Sequence, residues 1–344
     1  MPQQEERPRV TIGVIAKEAG VSVPTVSKVL NGRAGVAAET RHRVEELLRE
    51  HNYMRRTPSR THASGLIDLV FNELDSPWAV EVIRGVETVT SGVGVGVVVS
   101  AMHGRSTPAR QWLQSLTARR SDGVILVLSE LSSRQRAQLI TLGTPYVMVD
   151  PVGQTDPDMP SVGATNWAGG LAATQHLVEL GHRRIGMISG PPRLLCSRAR
   201  IDGYRAALEA ASLPFDLHLL RYGDFHHETG YTEALALLRL EEPPTAIFAG
   251  SDQQAFGTYE AIHERGLRVP DDVSVVGLDD LPVSSWVVPR LTTVRQPLAE
   301  MAAMAARMVL RMSSGERIDS PRVELATRLV VRESTAPAPA PASG

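Results

Sequence analysis

The sequence predicts a small all-α head followed by a large α/β body, in which two doubly wound parallel sheets form two lobes. Three observations support this prediction. Residues 10–53 carry three short helical patterns, the chain from residue 66 onward alternates apolar runs with helical stretches, and a polar segment separates the two regions. At 344 residues the chain is also too long for one ordinary core.

Composition predicts where these regions begin and end. We expect residues 1–9 to be a disordered N-terminus, residues 10–53 the head, and residues 54–65 (MRRTPSRTHASG) a polar, basic linker or hinge. Residues 66–333 would form the two-lobed body. Residues 334–344 (STAPAPAPASG) are expected to be a disordered tail, because a short Pro/Ala repeat buries little apolar surface.

The head is expected to contain three short helices joined by tight turns. The first two follow a hydroxyl residue that can cap a helix, Thr11 and Ser22, and all three carry apolar residues on one face. An Asn-Gly pair ends the second helix. The predicted ranges are residues 12–19, 23–30 and 38–50.

The turn between the first two helices, Ala19-Gly20-Val21-Ser22, matches that of the DNA-binding helix-turn-helix. Glycine permits the positive φ of such a turn, and the Ser22 hydroxyl would cap the following recognition helix. The alternative is a plain helical hairpin used for packing. If the helix reads DNA, its outward residues would be Val23, Pro24, Thr25, Ser27 and Lys28.

The charge distribution agrees with a polyanionic partner for the head alone. Residues 1–63 carry 11 Lys and Arg against 7 Asp and Glu, whereas the rest of the chain carries 25 against 31. Both lysines, Lys17 and Lys28, lie in the head. A basic head on an acidic body indicates nucleic-acid binding, with a solvated charged surface as the alternative.

Composition also argues against export and membrane insertion. No apolar run approaches the roughly 18 residues that a membrane helix needs. The N-terminus lacks a signal-peptide core, and a single cysteine, Cys196, cannot form an internal disulfide. We therefore expect a cytoplasmic protein that associates with the nucleoid by binding DNA and does not interact with a membrane.

Motifs for cofactor, metal or covalent chemistry are not found in the sequence. Glycines in the run 92–96 precede a predicted strand, whereas a phosphate-binding fingerprint follows a strand and opens a helix. His226, His227 and Glu228 are adjacent but lack an HExxH pattern or a cysteine cluster. We expect no cofactor, no metal ligand and no catalytic residue.

The body alternates eight predicted strands with eight predicted helices, a pattern typical of parallel sheets covered on both faces. Eight units exceed one typical open sheet, so a division into two lobes is expected near residues 161–166. The predicted strands are residues 66–71, 94–100, 123–128, 146–150, 185–189, 217–222, 246–249 and 273–278. The predicted helices are residues 79–90, 109–119, 133–142, 168–180, 198–211, 229–240, 252–265 and 298–312.

Ordered motifs run through both regions. The head has Thr11-Ile12, Ala16, Ala19-Gly20-Val21-Ser22, Thr25-Val26-Ser27-Lys28-Val29-Leu30-Asn31-Gly32, Thr40-Arg41 and Asn52-Tyr53. The body has Gly169-Gly170, Leu180-Gly181-His182, Asp202-Gly203-Tyr204, Gly277-Leu278-Asp279-Asp280 and Leu291-Thr292-Thr293-Val294. In this order they resemble the lactose/galactose-repressor (LacI) family of transcriptional regulators, from residue 11 to residue 332.

The resemblance implies a transcriptional regulator, most simply a repressor, whose body is periplasmic-binding-protein-like. Two heads of a homodimer, or of a tetramer, would read a near-palindromic double-stranded operator. A small effector between the lobes would change the affinity for DNA, and both release from DNA and tighter binding are compatible with the pattern.

For DNA binding, the resemblance implies residues of the head and the start of the linker: Thr11, Ser22, Val23, Pro24, Thr25, Ser27, Lys28, Asn31, Thr40, Tyr53, Arg55 and Arg56. The linker departs from the family pattern, because it contains no leucine to wedge into the minor groove. We hypothesise that Arg55, Arg56 and Arg60 hold the minor groove by charge instead.

For effector binding, the resemblance implies residues that follow strands of both lobes: Asn72, Trp78, Asp150, Arg200, Phe225, Ser251, Asp252 and Asp279. Arg and Asp suit vicinal hydroxyls, because Arg donates and Asp accepts hydrogen bonds in pairs. Together with the flat aromatic rings of Trp78 and Phe225, these charged side chains indicate that the effector is a sugar, either a mono- or an oligosaccharide. The alternative for Trp78 and Phe225 is that both rings pack in the core. Asp279 is followed by Asp280, and the alternative for one of these two carboxylates is that it caps a loop and does not bind the effector.

Two other functions compete with this interpretation. A sugar-binding receptor that does not regulate genes would carry a signal peptide and would lack the helical head. A nucleotide-dependent α/β enzyme would need a phosphate loop or a catalytic constellation. Trp286 is expected near a dimer contact, and the helix at residues 298–312 is expected in the core, with a share in a subunit contact as the alternative.

Overall fold

The protein divides into two compact units, Met1–His62 and Ala63–Gly344. The computed structural model describes residues 12–30, 35–51, 64–103, 110–128, 131–152 and 158–339. The N-terminal segment 1–9 and residues 54–63 of the expected linker lie outside this description. The boundary between the units falls within the segment that the sequence predicts as a linker.

The first unit is a bundle of three helices around a small apolar core. Its buried side chains come from all three helices and the first turn, and they include Ile15, Ala19, Val26 and Val44. The helices are α1 (Ile12–Glu18), α2 (Val23–Leu30) and α3 (Ala38–Glu50).

The turn between α1 and α2 has the geometry that its residues predict. Gly20 adopts φ +66°, and the Val21 amide donates to the Ala16 carbonyl at 3.0 Å. The Ser22 hydroxyl accepts a hydrogen bond from the Thr25 amide at 3.3 Å, which satisfies a donor at the start of α2. This turn fixes the angle at which α2 leaves α1.

The second unit consists of two α/β lobes, which confirms the predicted fold class. The first run of elements is β1 (Leu66–Phe71), α4 (Pro77–Ser91), β2 (Gly96–Ala101), α5 (Arg110–Arg119), β3 (Gly123–Val127), α6 (Ser133–Leu142), β4 (Tyr146–Val149) and β5 (Ser161–Ala164). The second run is α7 (Asn166–Glu179), β6 (Ile185–Ser189), α8 (Leu195–Ala210), β7 (Leu220–Tyr222), α9 (His227–Leu238), β8 (Ala246–Ala249), α10 (Asp252–Glu264), β9 (Ser274–Asp279) and β10 (Thr292–Arg295). The last elements are α11 (Leu298–Ser313), β11 (Arg322–Leu325) and β12 (Arg328–Val330).

Each lobe is built on one six-stranded sheet. The strand order is β11-β5-β4-β3-β1-β2 in the first lobe and β12-β10-β9-β8-β6-β7 in the second. Neighbouring strands are parallel, apart from β12, which runs antiparallel to β10. The central strands β3, β4, β6, β8 and β9 are buried along their whole length, as expected for parallel strands covered by helices on both faces.

The chain crosses between the lobes three times: after β5, after β10 and after β11. Thr165 lies in the first crossing and Thr327 in the third. The Thr327 amide donates to the Thr165 hydroxyl at 2.9 Å, and their hydroxyl oxygens are 3.0 Å apart. These contacts tie two crossing segments side by side, so the lobes share one narrow connection.

Helix α11 follows the second lobe in sequence but packs in the first. Its buried residues, including Leu298, Met301 and Val309, join the apolar core formed by β1, β3, β4 and α4. A Cβ at Gly85 of α4 would lie 2.2 Å from the carbonyl oxygen of Ala299, so glycine permits the close approach of the two helices. The expected core position of this helix is therefore confirmed.

The C-terminal segment corrects the predicted tail. Ser334 is fully buried, accepts from the Thr292 amide at 2.7 Å and donates to the Val275 carbonyl at 2.6 Å. The Ala338 amide also donates to the Leu180 carbonyl at 2.8 Å. The prediction of disorder is wrong for residues 334–339, because these hydrogen bonds hold the segment on the second lobe.

Other departures from the prediction are short or local. Residues 217–222 form a 3₁₀ turn followed by the three-residue β7. Strands β5, β10, β11 and β12 were not predicted, since each is short and, unlike the apolar runs of β4 and β8, is interrupted by polar residues or glycine. Ser64 and Gly65, placed in the linker by composition, donate backbone hydrogen bonds to the Asp122 carboxylate. Among the described residues, no helix combines the length and apolar character needed to cross a membrane.

Candidate functional site

A large concavity lies between the lobes, where the carboxyl ends of their parallel strands face each other. Its volume is about 870 Å³, within the range of roughly 300–1,000 Å³ common for small-molecule sites. Seven of the eight predicted effector residues line it: Asn72, Trp78, Asp150, Arg200, Phe225, Ser251 and Asp279. The topology brings them together, because ligands in doubly wound folds settle at this edge of the sheets.

Arg200, on α8, is the buried cation of the cleft. Its Nε donates to Asn166 Oδ1 at 2.8 Å, its Nη1 to the Gly250 carbonyl at 2.6 Å, and its Nη2 lies 3.5 Å from Gln296 Oε1. Its guanidinium carbon is also 5.3 Å from the centre of the Phe225 ring. These contacts fix its orientation and use three of its five N–H donors.

Asp150 follows β4 at the base of the cleft and reaches the second crossing segment. Its Oδ2 accepts a hydrogen bond from Gln296 Nε2 at 3.0 Å. Burial raises the pKa of Asp150 to about 6, although the Arg200 charge and the Gln296 hydrogen bond oppose this shift. Since Gln296 also contacts Arg200, this amide joins a carboxylate of one lobe to the cation of the other.

Asp279 ends β9 on the opposite wall, and its carboxylate is also buried. Burial and, next, the charge of Asp252 raise the pKa of Asp279 well above its ordinary range, while Arg200 opposes the shift. Asp280 instead forms ion pairs with Arg295 and Arg332 and does not line the cleft. The two adjacent carboxylates therefore have different roles: Asp279 lines the cavity, whereas Asp280 is held in ion pairs that stabilise the fold.

Phe225 forms the aromatic wall of the second lobe. Its ring lies directly against Gly190, where an added Cβ would be only 2.0 Å from the Phe225 Cζ atom. Its carbonyl accepts a hydrogen bond from the Ser251 hydroxyl at 2.7 Å. In the first lobe, Trp78 lies in the first turn of α4, whose cap Ser76 accepts from the Trp78 amide at 3.2 Å. Trp78 is partly buried against the core, so it both packs and lines the cleft.

Backbone conformations at the cleft are unusual for residues with side chains. Leu128, Asp150, Phe225 and Asp279 all line the cavity with positive φ, at 47°, 45°, 76° and 132°. Such conformations cost of order 1–3 kcal/mol each and persist where the surrounding structure holds them. Their clustering at this cavity is typical of a functional site.

Asp252 corrects the predicted effector set. It is fully buried and lies outside the cavity lining. Its carboxylate accepts hydrogen bonds from the Leu281 amide at 2.8 Å, from Ser284 and from Thr293. Burial raises the pKa of Asp252 to about 6 against these bonds. The residue therefore organises the loop after β9 and the start of β10 rather than contacting a ligand.

Side-chain contacts bridge the two lobes at the mouth of the cleft. Ser76 Oγ, in the first lobe, donates to Gln253 Oε1, in the second, at 2.9 Å. Glu73 and His226 approach across the mouth at 3.5 Å, and ligand-capable atoms of Glu73, Asp75 and His226 all lie within 4.8 Å of one another. Sequence adjacency groups His226 with His227 and Glu228, whereas the fold places it beside carboxylates of the other lobe.

Sequence reasoning missed several of these residues, namely Asn166, Gln253 and Gln296. Gln296 lies directly after β10 and Asn166 lies two residues after the end of β5; both strands contain polar residues or glycine and so do not show as apolar runs. If those strands are recognised, the rule that placed Asp150 and Asp279 at strand ends also finds both residues. Trp286 is 74% exposed and lies outside the cavity lining, so its proposed contact with a second subunit stays a prediction.

The head presents a second candidate surface along α2. Ser22, Val23, Pro24 and Lys28 are exposed, with Val23 44% accessible. Thr25, Ser27 and Thr40 are partly buried. Thr11, Asn31, Tyr53, Arg55, Arg56 and Arg60 lie outside the described residues. The side of α2 opposite the core thus carries an amine, hydroxyl groups and an apolar group, which suits phosphates and base edges.

Two family models match the chain. Residues 11–56 match the model of bacterial regulatory proteins, lacI family, and residues 174–335 match that of a periplasmic binding protein-like domain. Among curated proteins, the ribose operon repressor of Halalkalibacterium halodurans is 34% identical over 328 residues, 94% of this chain and 97% of that protein. The HTH-type transcriptional regulator CelR of Thermobifida fusca is 34% identical over 340 residues, 96% of this chain and 99% of that protein.

Solved structures show the same architecture. The transcriptional regulator CelR–cellobiose complex superposes with a TM-score of 0.73 at 33% identity, covering 95% of this chain and all of that one. The lac repressor dimer bound to operator and the anti-inducer ONPF gives a TM-score of 0.71 at 30% identity, covering 95% and 99% of the two chains.

Proposed function

The chain belongs to the lacI family of bacterial regulatory proteins, and we propose that within this family it is a repressor controlled by a sugar bound between its two lobes. It is a DNA-binding transcriptional regulator.

The DNA-binding half of the proposal rests on the exposed side of α2. Lys28 and the hydroxyls near the start of the helix would contact phosphates and base edges in the major groove. The arginines at positions 55, 56 and 60 would add phosphate and minor-groove contacts. The full proposed set is Thr11, Ser22, Val23, Pro24, Thr25, Ser27, Lys28, Asn31, Thr40, Tyr53, Arg55 and Arg56.

The observation that carries the effector half is the cleft itself. Buried hydrogen-bonding groups of both lobes face one cavity beside two aromatic side chains. Asn72 Oδ1 is buried without a hydrogen-bond partner among the described residues, so a ligand hydroxyl would satisfy it. Asp150 and Asp279 would accept from vicinal hydroxyls, Arg200 would donate its remaining N–H groups, and Phe225 and Trp78 would pack on sugar faces.

Relatives support a saccharide over other small molecules. One similar structure is a regulator in complex with cellobiose, and one similar protein is named for a ribose operon. A cavity of about 870 Å³ leaves room for more than one sugar ring. The proposal assigns the cleft to binding without turnover, in a cytoplasmic protein that acts on DNA.

Coupling between the sites would pass through the lobe connection. A ligand held by Asp150 of one lobe and Asp279 of the other changes the free energy of lobe closure. In a homodimer, closure would alter the spacing of the two heads over a near-palindromic operator. Such coupling typically amounts to 1–3 kcal/mol, which is roughly 5- to 150-fold in operator affinity.

The test is a fluorescence-anisotropy titration of the full chain against DNA from its own upstream region, with ribose, glucose, cellobiose and other sugars added singly. We expect one sugar to change the operator affinity at least fivefold. Asp279→Asn should abolish this response while leaving DNA binding in place, whereas Asp319→Asn, an exposed carboxylate outside the cleft, should keep it. If the response to the sugar survives Asp279→Asn, the assignment of the effector site is refuted. If the wild-type chain does not bind this DNA, the proposed role as a regulator of that operator is refuted.

A further inference from the structure

The charges around the cleft are strongly unbalanced. The described residues that line it include six carboxylates, Glu73, Asp75, Asp150, Asp224, Glu228 and Asp279, against two guanidinium groups, Arg193 and Arg200. Glu73, Asp75, Asp224 and Glu228 are exposed and lie toward the mouth. A cleft lined by one sign of charge concentrates the field, so ligands that enter this one meet a negative potential.

The inner cation is already engaged by the protein. Three N–H groups of Arg200 are directed to Asn166, Gly250 and Gln296, which leaves few donors for a ligand anion. Its charge is shared between the two flanking carboxylates, since Arg200 lowers the pKa of both Asp150 and Asp279 against burial. An anionic ligand would therefore compete with these partners for one guanidinium group.

The hydrogen-bonding groups offered to a ligand are mostly acceptors. Asn72 Oδ1 is an unpartnered acceptor, and Asp150 and Asp279 accept through both oxygens in the ionised form, which burial disfavours and the Arg200 charge favours. Phosphate dianions and carboxylates are acceptors too, so they would leave these groups unsatisfied. Hydroxyl and ammonium groups donate and satisfy them.

We propose that the cleft selects an effector without negative charge, a neutral or amino-bearing saccharide, and rejects phosphorylated and carboxylated sugars. The selectivity comes from the carboxylates at the mouth and from the acceptor-rich interior. The inference rests on the proposed function, because it specifies the chemical class of sugar that the same cleft binds.

The test compares matched pairs by isothermal titration calorimetry with the full chain: glucose and glucose 6-phosphate, ribose and ribose 5-phosphate, and cellobiose and cellobionate. For whichever neutral sugar binds, we expect its anionic partner to bind at least tenfold more weakly. This ratio should shrink as sodium chloride increases, because salt screens the exposed carboxylates. An anionic partner that binds as tightly as its parent overturns the inference, as does a ratio independent of salt, which would indicate steric exclusion.

A double variant separates charge from shape further. Asp75→Asn with Glu228→Gln removes one carboxylate from each lobe at the mouth and keeps the Glu73–His226 contact. We expect the ratio to fall at least threefold, whereas Glu87→Gln, which removes an exposed carboxylate of α4 outside the cleft, should leave it unchanged. An unchanged ratio in the double variant would refute the role of the mouth.

Inorganic phosphate provides a probe that does not depend on the identity of the sugar. We expect phosphate to raise the melting temperature no more than sodium chloride at the same ionic strength. A phosphate-specific rise that Arg200→Lys removes would overturn the inference. If no neutral sugar binds but an anionic one does, the inference fails while a saccharide-controlled regulator stands; if no sugar of either kind binds, the proposed effector class itself fails.

Discussion

Asp150→Asn tests whether the cleft is maintained at a cost to the stability of the fold. Asparagine has nearly the same shape as aspartate, tolerates the positive φ of 45° at this position, and keeps an oxygen to accept from Gln296 Nε2. The substitution removes the buried negative charge, and it also replaces one carboxylate oxygen by an amide group that cannot accept the hydrogen bond from the Ala164 amide. We expect it to stabilise the protein at neutral pH and to weaken effector binding.

The magnitude follows from the raised pKa of Asp150. Burial moves the pKa from its ordinary 3.8 to about 6, a difference of about 2.2 units, and each unit corresponds to about 1.36 kcal/mol. The folded state binds the extra proton between these values, so stability decreases as pH rises through the window and the full penalty is present above it. Asp150→Asn should therefore gain up to about 3 kcal/mol at about pH 7, less the hydrogen bond lost from the Ala164 amide, and only about 0.5 kcal/mol at about pH 4.

The assay is urea unfolding of the full chain at several values between about pH 4 and about pH 7, with the free energy of unfolding compared between wild type and variant. Asp280→Asn is the matched control, because Asp280 is ion-paired with Arg295 and Arg332 and its neutralisation should destabilise the fold at neutral pH. If Asp150→Asn is no more stable at neutral pH, or if its gain is the same at every pH, the reasoning is refuted.

Three further predictions address the aromatic wall, the C-terminal segment and the head. Gly190→Ala places a Cβ against the Phe225 ring, so we expect calorimetry to show at least tenfold weaker effector binding with an unchanged circular dichroism spectrum; normal affinity would contradict this. Ser334→Ala leaves a buried amide and a buried carbonyl without their partner and should cost about 1–3 kcal/mol in urea unfolding, whereas a near-zero change would show that the segment contributes nothing. Lys28→Ala should lower operator affinity and reduce the slope of log affinity against log salt by about one unit, while Arg43→Ala, on α3, should leave the slope intact; equal slopes in the two variants would exclude a Lys28–phosphate contact.

Residues of the cleft show what position relative to a strand can predict about a binding site and what it cannot. The rule that ligand groups follow the strands of a doubly wound sheet placed Asn72, Asp150 and Asp279 in one cavity. The same rule included Asp252, which turns away to three donors of the β9–β10 region. Position along the chain fixes which edge of the sheet a residue occupies, but the donors within reach decide where its side chain lies.

The sequence alone determined the features that depend on neighbouring residues. The turn at Gly20 and Ser22, the helix periodicity of the head and the apolar runs of β1 and β6 are local patterns, and each was predicted within a residue or two. The alternation of strands and helices then required parallel sheets. These conclusions need no knowledge of which distant segments meet.

Which distant groups meet depends on the tertiary fold. Gln296 reaches Asp150 across 146 residues of sequence, Ser76 reaches Gln253 across 177, and α11 packs in the lobe that the chain has already left. Ser334 is buried in a segment whose composition predicts disorder, because donors and acceptors of β9 and β10 bind it. Amino-acid composition reports the average character of residues that are neighbours in sequence. These contacts instead join residues that are far apart in sequence and that the three crossings between the lobes bring close together.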